Sequence, residues 1–294
     1  MAFTSQLKLR LYTTQVYSKV AMIILLVLGT VVQLQAQTLP LPARGIDALS
    51  GSELKAKIEN LSVIDREKEI FEEIIHGNVP EFLRELVPIS FSKSIDDTVY
   101  NVTYYVLPDY LALGLDNDYF LIPMTPILAQ RISDSLRFTL PTKQIVDQIW
   151  INASLKLTPS PILASSEMVT ISVMWDHNNT VKAQRQKALA TYPLGELVAG
   201  HKKDVIISNR IYGNSSKRVV IYGWHYKNGT NIQPVYAGHS ETYADYSHGI
   251  RLVSDACLIN DKSYLISEVL KNPKIAALFS DEGVIRKPFY SIAF

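Results

Sequence analysis

The chain has 294 residues, 47% of them hydrophobic and 19% charged, with 16 tyrosines and a single cysteine. That length builds a sizeable core as one large domain or two small ones. A formal net charge of +1 leaves no electrostatic footprint for nucleic acid, and the lone Cys257 excludes an internal disulfide or a cysteine-rich metal site.

The first 36 residues read as an export signal. "MAFTSQLKLRLYTTQVYSK" carries Lys8, Arg10 and Lys19 without an acid, "VAMIILLVLGTVV" supplies a short apolar run, and Ala36 is a small residue at the cut. An apolar run of 13 residues falls short of the roughly 20 that cross a bilayer. Removing the signal takes three of the 29 basic residues and leaves 26 against 28 acids, near −2. The expectation is a periplasmic or secreted protein with no stable membrane span after cleavage.

Residues 37–51, rich in proline and glycine, predict an extended and partly mobile leader. Residues 52–294 predict a single domain, helical over 52–90 and β-rich over 155–294. "ELKAKIENL" and "DREKEIFEEIIHG" read as helices. In the second, Ile70, Phe71, Ile74 and Ile75 recur at helical spacing, with Asp65 expected to cap the start and Gly77 the end. "DTVYNVTYYVLPDYLALG" and "YFLIPM" favour strands through their β-branched and aromatic residues. "TPILAQRISDSLRF" and "LPTKQIVDQIW" predict two helices opening on a threonine cap, the first with proline at its first position, flanking a sheet.

From Leu155 onward "LKLTP", "MVTISVMW", "DVIISNRI", "RVVIYGWH" and "GIRLVS" predict strands. "HNNTVKAQRQKALATYPLGE" predicts a long surface loop or mobile helix, "SYLISEVLKNPKIAALFSDEG" two short helices and "FYSIAF" a last strand. Helices and strands mix without βαβ alternation, so the fold class is α+β, with mostly antiparallel or mixed sheet.

The chemistry gathers late. Of six histidines, His201, His225, His239 and His248 fall within 48 residues. Lys203, Asp204, Tyr222, Asp245, Tyr246 and Arg251 stand among them, most where strands begin or end and side chains converge on a rigid frame. The plainer readings make His76 a helix-end residue, His177 a polar turn residue, Trp224 packing, Lys202 a solvated charge and Cys257 a small core hydrophobe.

Three chemistries suit the cluster. In metal-free acid–base work His248 or His239 takes a proton and Asp245 or Asp204 fixes its tautomer. Tyr222 or Tyr246 supplies a proton, and Arg251 or Lys203 steadies negative charge. Alternatively, His201, His225, His239 and His248 hold a single zinc-like divalent metal. The third is a serine nucleophile at Ser240 or Ser247, without a GxSxG elbow to support it.

"SHGIRL" (Ser247–Leu252) resembles the Ser-His-Gly-Cys-Xaa-Arg motif of L,D-transpeptidases, although Ile250 stands where that family has its cysteine nucleophile. "HSETYADYSH" resembles the His-to-Asp motif of D-Ala-D-Ala-type zinc peptidases, one residue short and without its glycine. The segments "GNVPEFLREL", "PMTPILAQRISDSL", "GHKKDVII", "VVIYGWH" and "YADYSHGIRLV" together resemble a family of exported bacterial proteins, which implies export and nothing about mechanism. The functional expectation is an exported enzyme acting on peptidoglycan or polysaccharide, a hydrolase foremost. A uronate lyase and a non-catalytic carbohydrate- or envelope-binding protein are the alternatives.

Overall fold

The computed structural model describes residues 37–213 and 216–292. The predicted export signal lies outside these residues. Among them are six α-helices and thirteen strands in antiparallel or mixed sheets, an α+β fold. No helix of the described residues is long and apolar enough to cross a membrane.

Residues 37–50 pack against the domain. Leu39 is buried, its N–H donates to the Arg84 carbonyl at 2.9 Å, and Thr38 bridges Glu85. The start of the predicted leader is therefore tied to the domain by one isolated bridge, while Ile46 further along it is 96% exposed. Helix α1 (Gly51–Ile58) starts in a capping box in which Ser50 and Glu53 satisfy each other's backbone N–H. Helix α2 (Val63–Ile75) is capped by Ser62, with Asp65 in the first turn, and it buries Ile70 and Ile74. Gly77 ends it with φ +84°, where a Cβ would lie 2.2 Å from the Pro42 carbonyl oxygen.

The larger sheet runs β1 (Val87–Ile95), β2 (Thr98–Val106), β12 (Val253–Ile259) and β13 (Lys262–Leu265), with β5 (Phe138–Thr139) also pairing β12. All of these pairings are antiparallel. Strands β3 (Ala112–Gly114) and β4 (Tyr119–Leu121) form a small antiparallel ribbon. Helix α3 (Pro126–Leu136) begins with the Thr125 cap and proline at its first turn, and α4 (Lys143–Asn152) is capped by Thr142. Strand β6 (Leu155–Lys156) pairs in parallel with β7 (Val198–Ala199).

Helix α5 spans Ile171–Ala188, capped by the Thr170 hydroxyl, which accepts the Val173 N–H. It takes in residues 171–175 of the predicted strand and much of the segment after it, which was expected as a surface loop or mobile helix. Its buried face carries Ile171, Met174, His177, Asn178, Val181 and Arg185, so half of the inward stripe is polar and the helical period does not show as hydropathy. Of the predicted last strand, the described residues 289–292 form no strand. Tyr290 instead plugs the core, donating its hydroxyl to the Ile206 carbonyl at 2.7 Å and accepting the Val220 N–H at 3.0 Å.

The second sheet positions the chemistry. Its order is β10 (Asn231–Tyr236), β9 (Ile221–His225), β8 (Lys203–Val205) and β11 (His248–Gly249), the last pairing in parallel with β8. Helix α4 packs on both β1 and β9 and so ties the two sheets together. Within β9, Gly223 has φ +104° and Trp224 φ +59°. In a regular strand Tyr222 and Trp224 would share a face. The left-handed pair breaks that alternation, so Tyr222 and His225 lie together with ring centroids 5.5 Å apart, while Trp224 turns to His177 and Tyr246. A tryptophan in this region costs roughly 1–3 kcal/mol. Its indole N–H on the His201 carbonyl at 3.1 Å and the Lys203 ammonium over its ring at 4.9 Å help hold it there.

Candidate functional site

Parallel pairing of two short strands brings residues 201–204 against 245–251. His248 lies opposite Lys203, and Gly249 opposite Asp204. Gly249 is required by packing, because a Cβ there would sit 2.6 Å from the Tyr110 ring. The turn into β11 is organised by Asp245. One of its carboxylate oxygens accepts the Ser247 N–H at 2.8 Å and the Ser247 hydroxyl at 2.6 Å, and the other accepts the Tyr243 hydroxyl at 3.1 Å. The Ser247 hydroxyl is thus tied to Asp245 and buried, which removes it as a free nucleophile.

His248 is 1% exposed, and neither of its ring nitrogens has a hydrogen-bond partner. Burial pushes its pKa down to about 4, with Lys203, His239 and Lys202 acting the same way and Asp245 opposing. The imidazole is neutral at neutral pH, with one nitrogen able to accept a proton and the other to donate one. Burial works to raise the Asp245 pKa, but His248, the Ser247 bonds and Lys203 outweigh it and hold the group below its ordinary value. Lys203 is lowered by burial, against the pull of Asp245. His239 stacks on Tyr243 with centroids 4.0 Å apart and planes at 17°, and Tyr243 meets His248 edge-on at 5.8 Å. This half-buried stack is where the cluster reaches solvent.

Behind it lies a layer that sequence reasoning assigned to catalysis and the structure assigns to scaffolding. Arg251 is fully buried, donating to the Leu107 carbonyl at 3.0 Å and the Val198 carbonyl at 2.6 Å while its guanidinium lies 4.3 Å over the Tyr110 ring. It cannot steady charge on a substrate. Asp204 accepts the Tyr110 hydroxyl at 2.8 Å and orients no histidine. Burial pushes its pKa up to about 6, against Arg251 and that hydrogen bond.

His201 is fully buried and pairs through Nε2 with Asp109 at 3.0 Å. Burial acts to raise the Asp109 pKa, but His201, Arg251 and the Tyr110 N–H lower it on balance. Asp109 was not among the sequence candidates. It lies 92 residues from His201 within the apolar stretch "LPDYLALG", where only its charge sets it apart. The Tyr246 hydroxyl accepts the Ile162 N–H at 3.0 Å and keeps its own proton, while its carbonyl accepts the Lys202 ammonium at 2.6 Å. Lys202, expected to be solvated, is completely buried, which lowers its pKa to about 7.

His225 and Tyr222 belong to a separate group. The Tyr222 hydroxyl donates to Asp147 at 2.7 Å, His225 Nε2 lies 3.6 Å from the same carboxylate oxygen, and Lys143 bridges Asp147 and Asp281 at 2.8 and 2.9 Å. The four histidines therefore do not converge as one ligand set. Among the described residues no three His, Cys, Asp or Glu side chains are placed to share a metal ion. Cys257 is a buried core residue, its thiol pushed up to about 12 by burial. His177, expected in a turn, is buried on α5, whereas His76 stands at the exposed end of α2 with Nδ1 2.7 Å from the Glu72 carbonyl.

The candidate groups brought together at this turn are His248, Asp245, Lys203, Tyr243 and His239. No protein-family model, curated protein or solved structure gives a significant match to this chain.

Proposed function

We propose that the chain is an exported enzyme, a hydrolase acting on a cell-envelope or extracellular polymer, peptidoglycan or polysaccharide, with His248 as its general acid–base. The carrying observation is that His248 is buried with both ring nitrogens unpartnered beside Asp245 and Lys203. Leaving a buried polar group unpaired costs about 1–3 kcal/mol. Keeping such a group is reasonable where a reacting partner satisfies it. In this reading the neutral imidazole takes a proton from the attacking water and Asp245 balances the imidazolium that forms. Of the two cations expected to stabilise negative charge, Arg251 and Lys203, this reading uses Lys203. The His239–Tyr243 stack admits the substrate by shifting off His248.

The test is His248→Ala, assayed against peptidoglycan, uronate polymers and neutral polysaccharide. The expected loss is about 10²–10⁴-fold in kcat, with circular dichroism and thermal melting preserved. As a base His248 must be unprotonated, so wild-type kcat falls as pH drops through about 4. Unchanged turnover in the variant removes His248 from the mechanism.

A second reading has its own observation. Tyr236 is 43% exposed and packs edge-on against His239, extending the His239–Tyr243 stack into an aromatic ledge suited to a sugar ring. Saturable polysaccharide binding without turnover in the wild type favours this binding role over the enzyme. A uronate lyase would need Lys203, rather than Arg251, to meet the carboxylate.

A further inference from the structure

Residues 158–165 run without regular secondary structure between β6 and the 3-10 turn at Ser166–Val169. They form a strap across α5. A cavity of about 360 Å³ opens between strap and helix, lined by Ser160, Pro161, Ile162, Asp176, His177 and Thr180, with Val173 at its side. We infer that this cavity binds one uncharged, hydroxyl-bearing ring, a single neutral sugar unit, with His177 as its hydrogen-bonding floor.

Three observations carry the inference. First, His177 lines the cavity while 97% buried, by its 3% exposure, and neither ring nitrogen has a hydrogen-bond partner. It is a second orphaned imidazole, distinct from His248 and on a different element. The Tyr246 ring packs edge-on against it at 4.8 Å, which fixes its orientation.

Second, the strap is held by few bonds. Gln184 on α5 accepts the Thr158 N–H at 3.0 Å and donates to the Thr158 carbonyl at 3.0 Å and the Ser160 hydroxyl at 2.9 Å, and Ile162 N–H donates to Tyr246. Leu163 is 93% exposed at its crest. A segment with few hydrogen bonds and an exposed crest opens at low cost, and a small shift uncovers the ring nitrogens.

Third, the floor of the cavity offers an ion no counter-charge. Burial drives the His177 pKa down to about 2, with Lys202 and His201 acting the same way and the Ser160 backbone and Asp245 opposing, so a charged ligand reaching the ring is desolvated beside an uncharged imidazole. The exposed Asp176 carboxylate at the rim opposes an anion. What remains welcome is a neutral ligand that offers a donor and an acceptor to the imidazole. Thr180 spends its proton on the Asp176 carbonyl at 3.1 Å and keeps its acceptor lone pairs, while Ser160 accepts from Gln184 and keeps its proton to donate. Pro161, Ile162 and Val173 supply an apolar wall for the ring's C–H face. The volume suits one ring rather than a length of polymer.

The inference goes beyond the proposed hydrolysis and does not depend on it, because its readout is binding at His177 and not turnover. Histidine ring ¹⁵N resonances are followed while N-acetylglucosamine, glucosamine and glucuronate are added separately, with His177 assigned through His177→Gln. The neutral sugar is expected to shift the His177 signals with an affinity of roughly millimolar, and the cationic and anionic analogues at least about tenfold more weakly. Asp176→Asn, at an exposed position, raises the glucuronate response several-fold and leaves the neutral sugar unchanged. Silence of His177 toward all three compounds, or equal affinity for the charged and neutral ones, overturns the inference.

Discussion

Two polar layers share strands β8 and β11, and they differ in how their groups are satisfied. In the inner layer Arg251 rests on two carbonyls, His201 on Asp109, and Asp204 on Tyr110, with only Arg251 Nε and His201 Nδ1 left unpartnered among those three side chains. In the outer layer His248 has no partner at either nitrogen, and Lys203, His239 and Tyr243 remain partly accessible. The residue types are alike and come from the same few positions of sequence. Residue type does not separate the layers: each inner side chain has at least one firm partner, whereas the His248 ring has none.

The comparison breaks most visibly at Arg251. Arg251→Met removes the cation that lowers both Asp109 and Asp204 and leaves the carbonyls of Leu107 and Val198 without their donors. The expected loss is about 3–5 kcal/mol, read from urea unfolding. A well-folded, inactive variant would instead return Arg251 to the catalytic group.

Lys202 gives a subtler test. Its pKa is about 7 in the folded chain, below the ordinary 10.5. Between those values the unfolded chain holds a proton that the folded one lacks, so this group makes stability rise with pH, by at most about 1.4 kcal/mol per unit. Lys202→Met should flatten that rise between pH 7 and 10, measured as urea midpoints across the interval. An unaltered slope would show that the ammonium is not desolvated as its burial implies.

The smallest expected effect lies at the stack. Tyr243→Phe deletes one partly accessible hydrogen bond to Asp245, costing about 1 kcal/mol or less in stability. If Tyr243 also helps steer protons, kcat drops by more than that stability change implies, and comparing melting curves with turnover sharpens its assignment to the outer layer.

Much of this architecture was readable in the chain. The Thr125–Pro126 and Thr142 starts, the Gly77 stop and strands such as β2 and β9 carry local signals that the fold obeys. A helix was one of two expectations for the segment from His177, but its packed face escaped because His177, Asn178 and Arg185 occupy it, and its start escaped because Val169, Thr170 and Ile171 have a strand-like composition. The site was legible as a neighbourhood and not as a set of roles. "YADYSHG" marked the turn at Asp245 and His248, yet nothing local announces that Arg251 points inward or that His201 finds Asp109 across 92 residues. Tyr222 and His225 parted from the other candidates because alternation fails at Gly223 and Trp224.

That two-residue reversal in β9 makes one short strand serve two neighbourhoods at once, Asp147 below and the Tyr246 wall above. A chain that straightened there would send the indole toward Asp147 and leave His177 and Lys203 without their aromatic neighbour. The arrangement of both polar regions therefore hangs on a kink smaller than either, and an added methyl at Gly223 would strain it through the φ of +104°, since the space around it is open enough.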